Sequence, residues 1–134
     1  MLTDEMCQKL VQAALDVRQR AYAPYSHYAV GAALLTRSGQ IFTGVNVENS
    51  VYPLGICAER TAVFSAITAG EMDFIAIAVA TSNGGTPCGA CRQVLAEFGE
   101  AIEVLLADGE GRLVRQTTVA ELLPAAFGRK DLPA

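Results

Sequence analysis

Three cysteines and one glutamate are the side chains of this sequence best suited to chemistry. They stand as Cys57-Ala58-Glu59 and, further along, Pro87-Cys88-Gly89-Ala90-Cys91. Three thiolates hold a borderline-soft cation such as Zn2+ and leave its fourth tetrahedral corner for water or substrate, which is how a catalytic zinc is kept. A carboxylate two residues from one ligand can carry protons beside that corner without binding the metal. Cys88 and Cys91 are three apart at a predicted helix start, so their sulfurs can point the same way. Pro87 pre-sets the first turn, and the free amides there favour thiolate over thiol. Cys57 begins another predicted helix, so two helix N-termini would converge on one ion, and their positive ends call for anionic ligands.

Simpler readings compete with this one. A buried cysteine commonly serves as a small apolar residue, and Cys7 is expected to be core. A structural zinc would need a fourth protein ligand, for which only His27 and Cys7 are spare. His27 falls in a turn and is expected at the surface, and neither residue has ligand-like spacing. Arg60 could donate hydrogen bonds to the cysteine sulfurs and offset the negative charge of three thiolates, or simply face solvent. Glu59 could be an ordinary first-turn glutamate favoured by the helix dipole, but beside the cysteines it is expected to carry protons.

The elements that must position these residues follow from the apolar spacing. Helical periodicity covers Thr3 to Arg20, with Leu10, Val11, Ala14, Leu15 and Val17. Tyr28 to Thr36 reads as a buried strand, Ser38-Gly39 as a turn, and Gln40 to Glu48 as its hairpin partner. A helix is predicted from Cys57 to Ala69, ended by Gly70. Phe74 to Ala80 has the continuous apolar character of a strand covered on both faces. Cys91, Val94, Leu95 and Phe98 share one helix face, Ile102 to Ala107 and Leu113 to Gln116 are strands, and Thr118 with Glu121 opens a short last helix before Pro124. The expected fold is α/β, a mixed five-stranded sheet with helices packed on both faces, in a single domain over residues 1–134.

Composition limits the partners. The 134 residues carry 10 basic and 14 acidic side chains, a net charge of −4, with no basic cluster to track a phosphate backbone, so no nucleic-acid polymer is expected. No apolar stretch approaches the roughly 18 residues of a membrane span. Residues 1–10 include Asp4, Glu5 and Lys9 and have no apolar core, so a secretory leader is not expected and the chain reads as soluble and cytoplasmic. Apolar residues make up 51% of the chain and charged residues 18%, which suggests that other subunits cover part of the surface.

The ligand-x-Glu and Pro-Cys-x-x-Cys elements match the signature of the zinc nucleobase deaminases. The chain resembles the cytidine deaminases in their short, single-domain, three-cysteine form. The likeness runs through Ala21-Tyr22-Ala23-Pro24-Tyr25-Ser26, Val30-Gly31-Ala32-Ala33-Leu34, Gly44-Val45-Asn46-Val47-Glu48-Asn49, Cys57 to Ala62, Pro87 to Gln93 and Glu121-Leu122-Leu123-Pro124. It implies a three-layer fold of that family and a zinc-activated water attacking C4 of cytidine or 2′-deoxycytidine. Cys57, Cys88 and Cys91 would hold Zn2+, with Arg60 bonded to their sulfurs and Glu59 shuttling protons. The Ala58 amide would meet the pyrimidine O2. Asn46 and Glu48 would clamp the sugar, which their shared face on a predicted strand supports, although the same spacing suits a solvated edge strand. Tyr28 falls where relatives commonly carry phenylalanine near the ligand. Phe127 matches an aromatic supplied by a neighbouring subunit, which makes a homotetramer the expected form, with Tyr52 at an interface. A related aminopyrimidine nucleoside of the blasticidin type, or a non-catalytic zinc module, are the alternative functions.

Overall fold

The run Phe74–Ala80 sits at the middle of the molecule because almost every side chain on it is apolar and small enough to be covered from both sides. In the computed structural model, which describes residues 2–133, it is the third of five strands. The strands are β1 (Gly31–Thr36), β2 (Ile41–Val45), β3 (Phe74–Ala80), β4 (Glu103–Ala107) and β5 (Leu113–Thr118). They lie in the order β2-β1-β3-β4-β5, with β3 and β4 parallel and every other pair antiparallel. The helices are α1 (Asp4–Arg18), α2 (Ala58–Thr68), α3 (Gly89–Phe98) and α4 (Val119–Leu122).

Strand side chains alternate between faces, so one sheet feeds two cores. Ala33, Leu35, Ala76, Ala78, Ala80, Leu105 and Ala107 meet Leu10, Val11 and Ala14 of α1. Ala32, Leu34, Ile77, Val79, Val104 and Leu106 face the other way, against Ala62, Val63 and Ala66 of α2, Leu95 of α3 and Leu122 of α4. The result is the expected three-layer arrangement, one helix on one face and three on the other. α1 starts where Thr3 accepts the Met6 amide at 3.1 Å, with Asp4 and Glu5 in its positive first turn and Arg18 in its last.

Element edges differ from the sequence expectation in informative places. The first strand starts at Gly31 rather than Tyr28, because the Tyr28 carbonyl and the Val30 amide are taken by the Asn46 side chain instead of a ladder. The hairpin partner ends at Val45, and residues 46–48 continue only as isolated bridges, Val47 pairing with Tyr22 and with Ile56. Asn46 and Glu48 therefore lie beyond the strand that was predicted to carry them. At the last helix, Thr118 accepts the Glu121 amide at 3.2 Å, while the Glu121 carboxylate accepts the hydroxyls of Thr117 and Thr118.

α2 lies almost in contact with the β2 backbone. A Cβ at Gly44 would stand 2.5 Å from the Ala62 nitrogen and 2.6 Å from the Ala58 carbonyl oxygen, atoms that cannot move aside. Glycine at 44 thus sets how closely the helix bearing Glu59 approaches the sheet. Gly44→Ala is expected to cost about 2–3 kcal/mol through overpacking and to lower the melting temperature by roughly 6–15 °C. Calorimetric melting checks this, with Gly128→Ala, which meets nothing within 4 Å at an extended φ of −153°, as the control for glycine replacement.

Candidate metal and active site

Both helices that point at the site are capped by cysteine. Cys57 is the N-cap of α2 and Cys88 that of α3, each in extended backbone and each without a side-chain capping bond. A serine or aspartate at either place would contribute about 1 kcal/mol to its helix. That stabilisation is absent because these caps aim sulfur at a common point rather than back at their own amides. Cys91, one turn into α3, is fully buried and completes the set.

The three sulfurs all lie within 4.8 Å of one another, and Cys57 Sγ is 3.8 Å from Cys88 Sγ. Two thiolates on one zinc at about 2.3 Å and a tetrahedral angle stand about 3.8 Å apart, whereas a disulfide brings sulfurs to about 2.05 Å. The spacing fits a shared zinc ion. Neither Cys7 nor His27 belongs to the cluster, so among the described residues the two spare ligands of the structural-zinc reading are not recruited. Cys7 is half-buried against the α1 core, where burial raises its thiol, and His27 is exposed in a turn with φ of 58°.

Charge at the cluster is arranged around Cys57. Its thiol is pulled down by hydrogen bonds, first from Cys91 and then from Arg60 and Cys88, against burial. Cys91 is pushed up by donating to Cys57 and by burial. The Arg60 guanidinium donates to Cys57 Sγ at 3.2 Å, and that bond is the main reason its own charge is reinforced. Its Nε is buried without a partner among the described residues. Leaving a buried donor unpaired costs about 1–3 kcal/mol, so the side chain is held there for the sulfurs rather than for its own solvation. Glu59 is 5% exposed, and burial pushes its carboxyl up to about 7, with the Cys57 charge adding to the effect.

Glu59, Cys57 and Cys88 border a cavity of about 240 Å³ whose other walls include Tyr28, Asn46, Val79 and Thr81. Cys57 also borders a second, wider hollow of about 500 Å³ with Arg60, Glu48, Tyr25 and Tyr52. Asn46 is buried and already engaged. Its Oδ1 accepts the Val30 amide and its Nδ2 donates to the Tyr28 carbonyl, both at 2.9 Å. One N–H and one lone pair remain. The Glu48 carboxylate accepts the Tyr25 and Ser26 amides at 2.9 and 3.1 Å and the Ser26 hydroxyl. The Ser26 hydroxyl, above all, holds it below the usual carboxylate range. Asn46 and Glu48 thus border adjoining hollows, each tied to the 22–30 segment.

Phe127 borders neither hollow. Its ring is 58% exposed, while its carbonyl accepts Gln93 Nε2 at 2.8 Å and so ties the C-terminal segment to α3. Tyr52 is 74% exposed and packs edge-on against Tyr25, ring centroids 5.8 Å apart. The Tyr28 hydroxyl, for which the sequence offered no partner, donates to Asn83 Oδ1 at 2.7 Å. Residues 81–86 had no reading from sequence, yet Thr81, Gly85 and Thr86 line the smaller cavity. The cue was a run of small polar and glycine residues directly before Pro87-Cys88. Arg92 was also passed over. It clamps the ligand turn by donating to the Pro87 carbonyl at 2.7 Å, the Thr86 hydroxyl at 2.9 Å and the Leu122 carbonyl at 2.7 Å.

Residues 4–107 match the family described as the cytidine and deoxycytidylate deaminase zinc-binding region. A cytidine deaminase of Sporosarcina psychrophila is 48% identical over 93% of this chain and 93% of its own length. One of Halalkalibacterium halodurans is 47% identical over 93% and 96%. The crystal structure of cytidine deaminase from Burkholderia pseudomallei superposes with a TM-score of 0.85 at 49% identity, covering 93% of this chain and 99% of that one. The chain therefore belongs to the zinc-dependent cytidine and deoxycytidylate deaminase family. Arg60→Ala is expected to weaken zinc binding roughly 10–100-fold, measured by competition with a chromophoric chelator.

Proposed function

We propose that this protein is a cytidine deaminase that converts cytidine and 2′-deoxycytidine, with water, to the corresponding uridines and ammonia. The observation that carries this reading is a trio of converging sulfurs, two of which, Cys57 and Cys88, border one cavity of about 240 Å³ together with a buried carboxylate. Cys57, Cys88 and Cys91 hold the zinc, which when bound supplies the Lewis acidity that makes water nucleophilic near neutral pH. Glu59 takes the proton of the attacking water and returns protons to N3 and to the departing amino nitrogen of the cytosine ring. The Ala58 amide, one of the free N–H groups in the first turn of α2, meets the pyrimidine O2. Asn46 keeps one donor and one acceptor for sugar hydroxyls, and Glu48 keeps lone pairs beyond those its own backbone segment uses. Val30 and Val79 give the cavity a dry wall, which strengthens each polar contact made inside it.

The same reading makes the working unit a homotetramer in which Phe127 covers a neighbour's base. Tyr22, Tyr25, Val51, Tyr52, Leu54 and Phe64 are exposed large apolar residues that a single chain leaves in water. No described helix is long and apolar enough to cross a membrane. Salvage of pyrimidine nucleosides in the cytoplasm is the setting we propose.

Glu59→Gln is expected to keep one zinc per chain and to lose about 10³-fold in turnover, with metal analysis and the ultraviolet change of cytidine as the two measurements. Turnover at the level of the unmodified chain would remove the proton-carrier assignment, and blasticidin S converted in preference to cytidine would reassign the substrate. Removing zinc with a chelator should abolish turnover, and adding it back should restore it. Phe127→Ala is expected to raise KM about tenfold with zinc still bound; steady-state kinetics checks this, and an unaltered KM would remove the shared site.

A further inference from the structure

The segment joining β3 to α3 forms one wall of the cavity that Glu59 borders, and a single side chain from across the cavity holds it. Tyr28 Oη donates to Asn83 Oδ1 at 2.7 Å. The same oxygen accepts the Gly85 amide at 3.2 Å and the Thr81 hydroxyl at 3.3 Å, so three donors meet on one acceptor. Thr81 Oγ1 in turn accepts the Gly84 and Gly85 amides at 2.7 and 3.1 Å, closing the turn that leads to Pro87 and Cys88.

Gly85 is shaped around this contact. A Cβ built there would stand 2.8 Å from Tyr28 Oη and 3.4 Å from Asn83 Oδ1, and its next contacts lie beyond 4 Å. The phenol oxygen therefore occupies the space that any other residue at 85 would fill. At its other end Tyr28 is fixed by its backbone, the amide donating to Ser26 Oγ at 3.1 Å and the carbonyl accepting Asn46 Nδ2 at 2.9 Å. It is the one aromatic among the residues lining this cavity. A ring without the hydroxyl would sit in a broad two-fold torsional well. With the hydroxyl bonded, the tip of the ring is held at Asn83, and the preference of a phenol O–H for the ring plane ties that plane to the direction of the bond.

We propose that Tyr28 Oη, Asn83 and Gly85 form a lock that fixes the Tyr28 ring as one side of a slot for the flat pyrimidine of the substrate. Tyr28 and Asn83 are positioning residues, and Gly85 is the clearance the lock needs. The proposal rests on the nucleoside-deaminating function proposed above. Since the lock acts on the fit of the heterocycle and not on Glu59 or the sulfurs, its loss falls on binding and KM more than on kcat.

The test uses the zinc-loaded full chain, uridine binding by titration calorimetry, and cytidine kinetics alongside. Gly85→Ala is expected to weaken uridine about tenfold, and Tyr28→Phe or Asn83→Ala each about two- to fivefold, the scale of one lost hydrogen bond. The double variant Tyr28→Phe/Gly85→Ala should bind no worse than Tyr28→Phe alone, because the colliding oxygen is gone. If Gly85→Ala does not fold, recovery of folding in the double variant carries the same coupling. Uridine affinity unaltered in Gly85→Ala or in Asn83→Ala overturns the lock. So do losses that multiply in the double variant, a shift confined to melting temperature, or no uridine binding by the unmodified chain. Failure of the deaminase reading is seen separately, as an unmodified chain that binds uridine but leaves cytidine intact, and the uridine series then still decides the lock.

Discussion

Two helix N-termini aimed at one point, with an arginine beside them, make a concentration of positive potential that the rest of the fold has to satisfy. Each terminus carries about half an elementary charge, and the Arg60 guanidinium adds a full one. The sulfurs of Cys57, Cys88 and Cys91 converge on that point, a donor set suited to a borderline-soft cation such as zinc. The sheet serves this convergence. β1 and β3 are neighbours in it, so the helix that precedes β3 and the helix that follows it share one face and can begin at the same edge. Gly44 lets α2 sit low enough on β2 for Cys57 to meet Cys88.

Much of the fold could be read from the chain because its signals are local. β3 falls on Phe74–Ala80 as the apolar run implied, α2 and α3 lie where the spacing of Ala62, Val63 and Ala66 and of Val94, Leu95 and Phe98 put them, and two-sided burial of the sheet follows from alternation within the strands. The ligand trio was legible because a metal constrains residue type and spacing together. What was not legible depends on contacts distant in sequence. Asn46 supplies bonds that a strand would otherwise have to make, and this shortens both members of the first hairpin. Nothing in the local pattern of Tyr28–Val30 or Asn46–Glu48 announces that exchange. Asn83 and Arg92 act across 5 to 55 residues of chain, through side-chain bonds to partners that the local pattern does not announce.

Two hollows of different character meet at Cys57. The smaller is bordered by Glu59, Cys57, Cys88 and the apolar Val30 and Val79. The wider is more open, lined by Tyr25, Tyr52, Val47, Ile56 and the Glu48 carboxylate. Glu48 bonds the backbone at residues 25–26, and Asn46 bonds it at residues 28 and 30, so both residues shape the segment between the two hollows.

The tripod joins residues 31 positions apart along the chain, with the whole of α2 and β3 inside the loop it closes. An ion seated there is a cross-link as well as a reagent. An ion bound only by the native state stabilises it through its own affinity, by about 4 kcal/mol at a thousandfold excess over its Kd. Scarcity of the cation would therefore deplete the pool of intact molecules, through local unravelling and proteolysis, at the same time as it idles those that survive.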